Sequence, residues 1–496
     1  MHSRAVTSDP QNAAQPFWKS AMAFVLGLVV LKLLIHIWAS PGYGLFRDEL
    51  YFIVCGWRLD FGYVDQPPMV PLLARIGTSL FGVSASAIRI FAPMVGAAMM
   101  VLAALMAKEF GGGRFAQIFA ATAVLLVPDY IAGEGKLATD SIEPLFWTAC
   151  ACALTLVISR NNPRLWLWFG LAAGLGLQAK HSIVFFGFAV VVGLLLSEQR
   201  RLLWNRWFLA AGAIAFIIFL PNLIWEAQRH WPTLELLQNI KNSGKNVVLS
   251  PLQYFLQQIL LIGPLDFPIW MAGLGFFFFH PQGRRYRVFG WGYLITFAII
   301  VVLKGKNYYL APIYPPLLAA GAVLAERVSA CQGRRWMRPA YIAAMAVLTV
   351  AFLPMLLPIL PPDEYLRYQK TIGFEPPKTE HGHTAAMPQH FADCFGWTEL
   401  ADNVARVYEK LPPEERSKAG IFLQDYGQAG AIDVYGKAYG LPPALSGHQN
   451  YYYWGPHGYT GEILIVVDDN PGSLPELCKS VEDAGPAIRN PYALPW

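Results

Sequence analysis

Apolar residues in this chain come in long uninterrupted runs rather than at strand spacing. Eleven runs stand out, at roughly 21–39, 84–107, 115–132, 141–158, 165–179, 181–197, 207–224, 253–279, 287–303, 307–325 and 339–357. Each is long enough, or nearly so, to cross the ~30 Å hydrocarbon core of a bilayer as a helix. The boundaries are weakest around Lys180 and His181, and the stretch 225–252 fits interfacial helices. Beyond 358 the pattern changes. Short segments alternate: a helix over 398–410, a strand over 419–423, a helix over 428–439 and a strand over 462–467. The pattern predicts a polytopic α-helical membrane domain of about eleven transmembrane helices over 1–358, then a soluble α/β domain over 359–496.

The charges between the runs divide by side. Alternate connections carry Lys108 and Arg114; Arg160 and Arg164; Arg200, Arg201 and Arg206; Arg284, Arg285 and Arg287; and Arg327, Arg334, Arg335 and Arg338. By the positive-inside rule these five loops are cytoplasmic. An odd number of crossings from a cytoplasmic N-terminus then puts the C-terminal domain outside. The opposite connections hold the segment from Arg47 to Asp65, the stretch from Glu134 to Asp140, the Lys180-His181 turn, the piece from Glu226 to Ser250, and Lys304 to Asn307. Acidic groups there meet a few isolated lysines. The outer-face loop 42–68 is the first place to look for chemistry, because charge next to hydrocarbon is costly unless paired or used.

Composition agrees with this division. Apolar residues make up 55% of the 496 and charged ones 14%, below the charged share of soluble domains. The net charge of +5 is spread over separate short loops, which excludes a nucleic-acid surface. The 21–39 run lacks a small-residue cleavage site and reads as a first helix rather than a leader. Cys55, Cys150, Cys152 and Cys331 have no metal-ligand spacing. Cys394 and Cys478 could pair in an oxidising compartment, or stay as two free thiols.

Asp48, Asp65 and Asp140 near Lys136, Lys180, Lys304 and Lys306 suit a transfer reaction with an anionic leaving group. A carboxylate takes a proton from an attacking hydroxyl, and cations hold a phosphate as it gains charge. Structural roles compete with this reading. Asp140 opens a helix and fits a cap. Lys180 fits a snorkelling lysine, while Lys304, Lys306, Tyr308, Tyr309 and Tyr314 fit interfacial anchors. Asp48, Glu49, Asp65 and Asp140 are also hard oxygen ligands suited to Mg²⁺ or Mn²⁺, although no obligatory metal is expected. In the C-terminal part, Ser446 to Gly455 packs His448, Gln449, Asn450, Tyr451, Tyr452, Tyr453 and Trp454 together. Such a loop suits sugar contact or docking on the membrane domain.

Five stretches carry a resemblance: Arg47-Asp48-Glu49-Leu50-Tyr51, Tyr63-Val64-Asp65-Gln66-Pro67-Pro68, Thr139-Asp140-Ser141, Gly176-Leu177-Gln178-Ala179-Lys180-His181, and Lys306-Asn307-Tyr308-Tyr309-Leu310-Ala311-Pro312-Ile313-Tyr314-Pro315. In order, spacing and common side, the chain resembles the GT-C superfamily of membrane glycosyltransferases. The branch is that of protein O-mannosyltransferases and the bacterial transferase that adds aminoarabinose to lipid A. The resemblance implies an enzyme of the bacterial inner membrane, a hexosyl- or pentosyltransferase. It would move one sugar, with inversion, from a polyprenyl-phosphate donor to a lipid, glycan or protein hydroxyl on the outer face.

By the same resemblance Asp48 is the general base, Glu49 positions it or the substrate, and Asp140 is a second acidic site residue. Lys180, Tyr308 and Tyr309 would meet the donor, with Arg47, Lys304, Lys306 and Gln66 as further donor-side candidates. Asp65, Tyr63, His448 and Tyr452 are the candidates on the acceptor or sugar side. One departure stands out: the aminoarabinose transferase has a lysine where this chain has Gln66, so another cation has to meet the phosphate. A transporter or flippase of a lipid-linked or anionic solute is the alternative, and it predicts charges near the midplane and related halves. The charges here crowd one face, and no repeat is seen.

Overall fold

The computed structural model describes residues 20–244, 247–373, 375, 385–468, 472 and 474–494. All eleven apolar runs are helical. Among the described residues seven helices are long and apolar enough to cross a membrane, the first being Ala21–Ala39 and the last ending at Leu356. The count is up to eight if Pro251–Ile262 and Phe267–Phe279, bent by 113° at their junction, form one broken span. Arg114–Leu126 and Ile183–Leu195 are apolar but have only 13 residues each. Helices of that length fall short of the hydrocarbon core unless a neighbour extends them.

Small residues set the helix crossings. A Cβ on Gly273 would lie 1.9 Å from the Leu317 carbonyl oxygen, and one on Gly321 would lie 1.9 Å from that of Ile269. Phe267–Phe279 and Tyr314–Val328 therefore touch backbone to backbone. Lipid tails are as apolar as leucine, so close van der Waals approach is what favours such a pair in a bilayer.

The basic loops lie on one face, because they touch one another. Arg160 pairs with Glu109 at 2.8 Å, the Gly113 amide donates to Glu326 at 2.5 Å, and Arg327 bonds His280 and Gln282. The acidic connections gather at the opposite end.

The segment expected as a loop over 42–68 contains a helix, Arg47–Trp57. Asp48 and Glu49 occupy its first turn, where negative charge meets the positive end of the helix dipole. The Glu49 carboxylate accepts from the Phe46 amide at 2.8 Å, closing that end. Every residue from Leu50 to Gly56 is buried, which is unlike a surface connection. The reason lies in the C-terminal part, which covers the helix from outside.

That part contains a three-stranded parallel sheet, β1 (Ala419–Leu423), β2 (Ala444–Leu445) and β3 (Ile463–Val467), in the order β2-β1-β3. Ile421 pairs with Ala444 on one side and Ile465 on the other. The helices Trp397–Lys410 and Tyr426–Tyr435 accompany it, giving the expected alternation. Tyr426–Tyr435 packs on Arg47–Trp57 through glycines: a Cβ on Gly430 would lie 3.1 Å from the Leu50 backbone. Cys394 is buried, Cys478 is exposed, and both are free thiols.

Candidate active site

Four segments converge at the end of the helices opposite the basic loops. The helix Arg47–Trp57 supplies Arg47 and Asp48. The turn before Thr139–Arg160 supplies Lys136, and that helix supplies Asp140. The 3-10 segment Asn307–Ile313 brings Tyr308, with Lys306 just before it. These side chains line a cavity of about 1360 Å³. Leu260, Leu261, Met345, Leu348, Phe352 and Leu356 also line it. One cavity wall thus combines charged side chains with apolar ones, several of the latter from the helix Met337–Leu356.

Asp48 is held through one oxygen. Its Oδ1 accepts from the Tyr426 hydroxyl at 2.5 Å and lies 3.4 Å from Arg47 Nε. The Arg47 guanidinium sits over the Tyr426 ring, 5.2 Å from its centroid. Nearby, Tyr51 donates to Asp65 at 3.2 Å. Burial and then the neighbouring Asp48 carboxylate push the Asp65 carboxyl up to about 7. Burial likewise raises Asp393, near Arg47, to about 7. Tyr426 is raised well above the usual phenol range, chiefly by burial, so its hydroxyl keeps its proton.

Lys180 forms an ion pair with Asp140, lies 3.5 Å from Glu143, and stands 4.3 Å from the Tyr309 ring centroid. Lys136 differs. It faces the cavity with its ammonium 4.2 Å from the Phe46 ring centroid, and among the described residues no carboxylate lies within ion-pair distance of it. Among the described residues no group of three or more His, Cys, Asp or Glu is arranged to hold a metal ion.

Comparison with known proteins follows this geometry. Residues 65–225 match the family model described as dolichyl-phosphate-mannose-protein mannosyltransferase. The lipid A galacturonosyltransferase RgtD of Rhizobium johnstonii is 28% identical over 253 residues, 50% of this chain and 52% of that protein. The match therefore spans about half the length of that curated relative. ArnT from Cupriavidus metallidurans, solved bound to undecaprenyl phosphate, aligns with a TM-score of 0.57 at 16% identity, covering 86% of each chain. The arabinofuranosyltransferase AftD from Mycobacteria aligns at a TM-score of 0.53 and 14% identity, covering 85% of this chain and 31% of AftD.

This chain has the GT-C glycosyltransferase fold.

Within that GT-C fold the expected site residues separate. Asp48, Arg47, Asp140, Lys306 and Tyr308 line the cavity. Asp140 does not cap its helix: Ala138 is the N-cap, and the Ser141 hydroxyl accepts from the Ala138 amide. Lys180 pairs with Asp140 and stands over the Tyr309 ring, and neither Lys180 nor Tyr309 lines the cavity. Glu49 is fully buried and saturated, accepting from Arg89 Nε at 2.9 Å, Arg89 Nη2 at 2.7 Å and the Leu137 amide at 2.9 Å. It does not line the cavity.

Four of the expected site residues lie away from the cavity. Lys304 is exposed, at a positive φ of 55°, and does not line the cavity. Tyr63 is enclosed, its hydroxyl bonded to the Cys55 carbonyl at 2.9 Å and to the Asp60 amide at 3.1 Å, so it braces the turn. Gln66 is buried away from the cavity, and its amide has no hydrogen-bond partner among the described residues. Tyr452 is 70% exposed and packs on Tyr453, at the outer surface. His448 does approach the site, 5.0 Å from Tyr426 ring to ring and 3.4 Å from Asp425.

Sequence reasoning missed Tyr426, Asp425 and Arg89, and it named Asn450 only as part of the aromatic loop. Asn450 accepts from the Val64 amide at 2.7 Å, and its own amide donates to Tyr51 at 3.3 Å. The aromatic loop was visible, but its contact with the 47–65 segment was not.

Proposed function

We propose that this protein is a polyprenyl-phosphate-sugar-dependent glycosyltransferase acting at the outer face of a bacterial inner membrane. In this reading residues 1–358 form the membrane domain and 359–496 an extracytoplasmic domain. One observation carries it: Asp48 lines a large cavity walled by both charged and apolar side chains. That lining suits a donor with an anionic head and a long hydrocarbon tail.

The acceptor hydroxyl attacks the anomeric carbon from the face opposite the phosphate. The C–O bond to phosphate breaks as the new glycosidic bond forms, so configuration inverts. Asp48 takes the hydroxyl proton, and polyprenyl phosphate leaves with the bonding pair. Arg47, Lys136 and Lys306 offset the charge growing on the phosphate. The likeness to a lipid A galacturonosyltransferase makes a lipid A-type glycolipid the first acceptor to test.

The test is transfer of label from a panel of polyprenyl-phosphate sugars to a glycolipid pool, with purified wild type and Asp48→Asn. Transfer by wild type alone is expected. Full transfer by Asp48→Asn would remove Asp48 from the chemistry. Movement of donor across proteoliposomes without bond breakage would replace the reading with a flippase.

A further inference from the structure

The base belongs to the membrane helices, but the group that holds it comes from the far end of the chain. Tyr426 opens the helix Tyr426–Tyr435, whose N-cap Asp425 accepts from the Gly427 amide at 2.7 Å. Two glycines bring this helix onto Arg47–Trp57: a Cβ on Gly427 would lie 2.1 Å from Arg47 Cγ, and one on Gly430 would meet the Leu50 backbone. The Tyr426 ring is wedged between Tyr51, at 5.1 Å, and His448, at 5.0 Å. Its hydroxyl therefore has little freedom and points at Asp48 Oδ1.

Arg47 Nε approaches the same oxygen, whereas no described residue bonds Oδ2. We propose that Tyr426 is a positioning residue for transfer: its hydroxyl fixes Oδ1, so that Oδ2 faces the acceptor and receives the proton. The proposal rests on Asp48 being the base. Tyr426 keeps its own proton throughout, and the only proton transferred is that of the acceptor hydroxyl. The C-terminal domain is then part of the catalytic apparatus, and its docking decides whether the base is aimed.

A hydrogen bond donated to a carboxylate favours its ionised form. The charged and titratable groups around Asp48 are Arg47 on its own helix, Asp65 after it, Asp393, and Asp425, Tyr426 and His448 from the C-terminal domain. Removing the phenol hydroxyl leaves the other groups in place.

The experiment compares wild type, Tyr426→Phe, Asp48→Asn and a protein with 3-fluorotyrosine at 426, measuring kcat, donor KM and the pH profile. Tyr426→Phe is expected to lower kcat about 10- to 100-fold with donor KM little changed. Its acidic limb should move up by about one pH unit. The fluorinated phenol keeps the shape but donates more strongly, so its limb should move down. Wild-type kcat and an unmoved limb in Tyr426→Phe, with Asp48→Asn inactive, would overturn the inference and leave the base assignment standing. Should Tyr426→Phe fail to fold, an unmoved limb in the fluorinated protein overturns it equally. Turnover by Asp48→Asn would overturn the base assignment and the inference together.

Discussion

Glu49 and Arg89 form a two-pronged ion pair, Nε to Oε1 at 2.9 Å and Nη2 to Oε2 at 2.7 Å, with both side chains buried. Arg89 also donates to the carbonyls of Ser40 and Gly44. One carboxylate thereby ties the start of the Asp48 helix to the end of the first membrane helix and to the turn at Leu137. Asp48 and Lys136 keep their relative places because Glu49 stands between them.

Replacing Glu49 with Ala leaves a buried guanidinium without its partner. Breaking a buried pair in this way costs about 3–5 kcal/mol. Thermal unfolding in detergent should show a markedly lower Tm for Glu49→Ala and a smaller drop for Glu49→Gln. A Glu49→Ala protein as stable as wild type yet inactive would place Glu49 in the chemistry instead.

Lys136 and Lys180 should separate cleanly. Lys180 is committed to Asp140 and Glu143, so Lys180→Ala should lower stability as well as activity. Lys136 faces the cavity without an ion-pair carboxylate. Its loss should raise donor KM about tenfold, equivalent to about 1.4 kcal/mol of binding, with little change in Tm. Equal donor KM in Lys136→Ala and wild type would show that other cations meet the phosphate.

Asp65 gives a pH dependence of definite sign. Its folded-state value, pushed up to about 7, lies above the unfolded value near 3.9, so the folded chain binds the extra proton between them. This contribution to stability is present below about pH 4 and is lost as pH rises to 7. Asp65→Asn should therefore narrow the gap in Tm between pH 5 and pH 8, the gain appearing at pH 8. Parallel Tm profiles for variant and wild type would refute this.

Turnover should survive chelation. Asp140 is bound to Lys180 and Asp48 to Tyr426, while cationic side chains line the cavity. Full activity in EDTA is the expected result. Loss of activity restored by Mg²⁺ or Mn²⁺ would show a required divalent ion.

Much of the architecture was legible because the bilayer imposes a simple rule on sequence. Backbone groups in hydrocarbon must bond within their own helix, so membrane helices appear as apolar runs. The basic loops sorted by side through a second rule, the bias of Lys and Arg toward the cytoplasmic connections. The burial of Arg47–Trp57 was harder to read, since its charged first turn looks like a solvated connection until its cover is seen. Lys304 and Lys306 illustrate the remaining limit: two residues apart, one is exposed and the other lines the cavity. The left-handed backbone at Lys304 turns the chain between them, and nothing in their spacing shows it.

The sequence by itself determined the helical membrane part, the alternating C-terminal part, and that Asp48, Asp140 and Lys306 lie in connections on the side opposite the basic loops. Each follows from local hydrophobicity and charge, which act through the solvent surrounding a segment. Only the tertiary structure decided which carboxylates are consumed in ion pairs, that Lys136 meets no carboxylate among the described residues, and that Tyr426 holds Asp48 from 378 residues away. Those outcomes depend on backbones brought together at Gly427 and Gly430. A contact between distant segments leaves no periodicity in either of them.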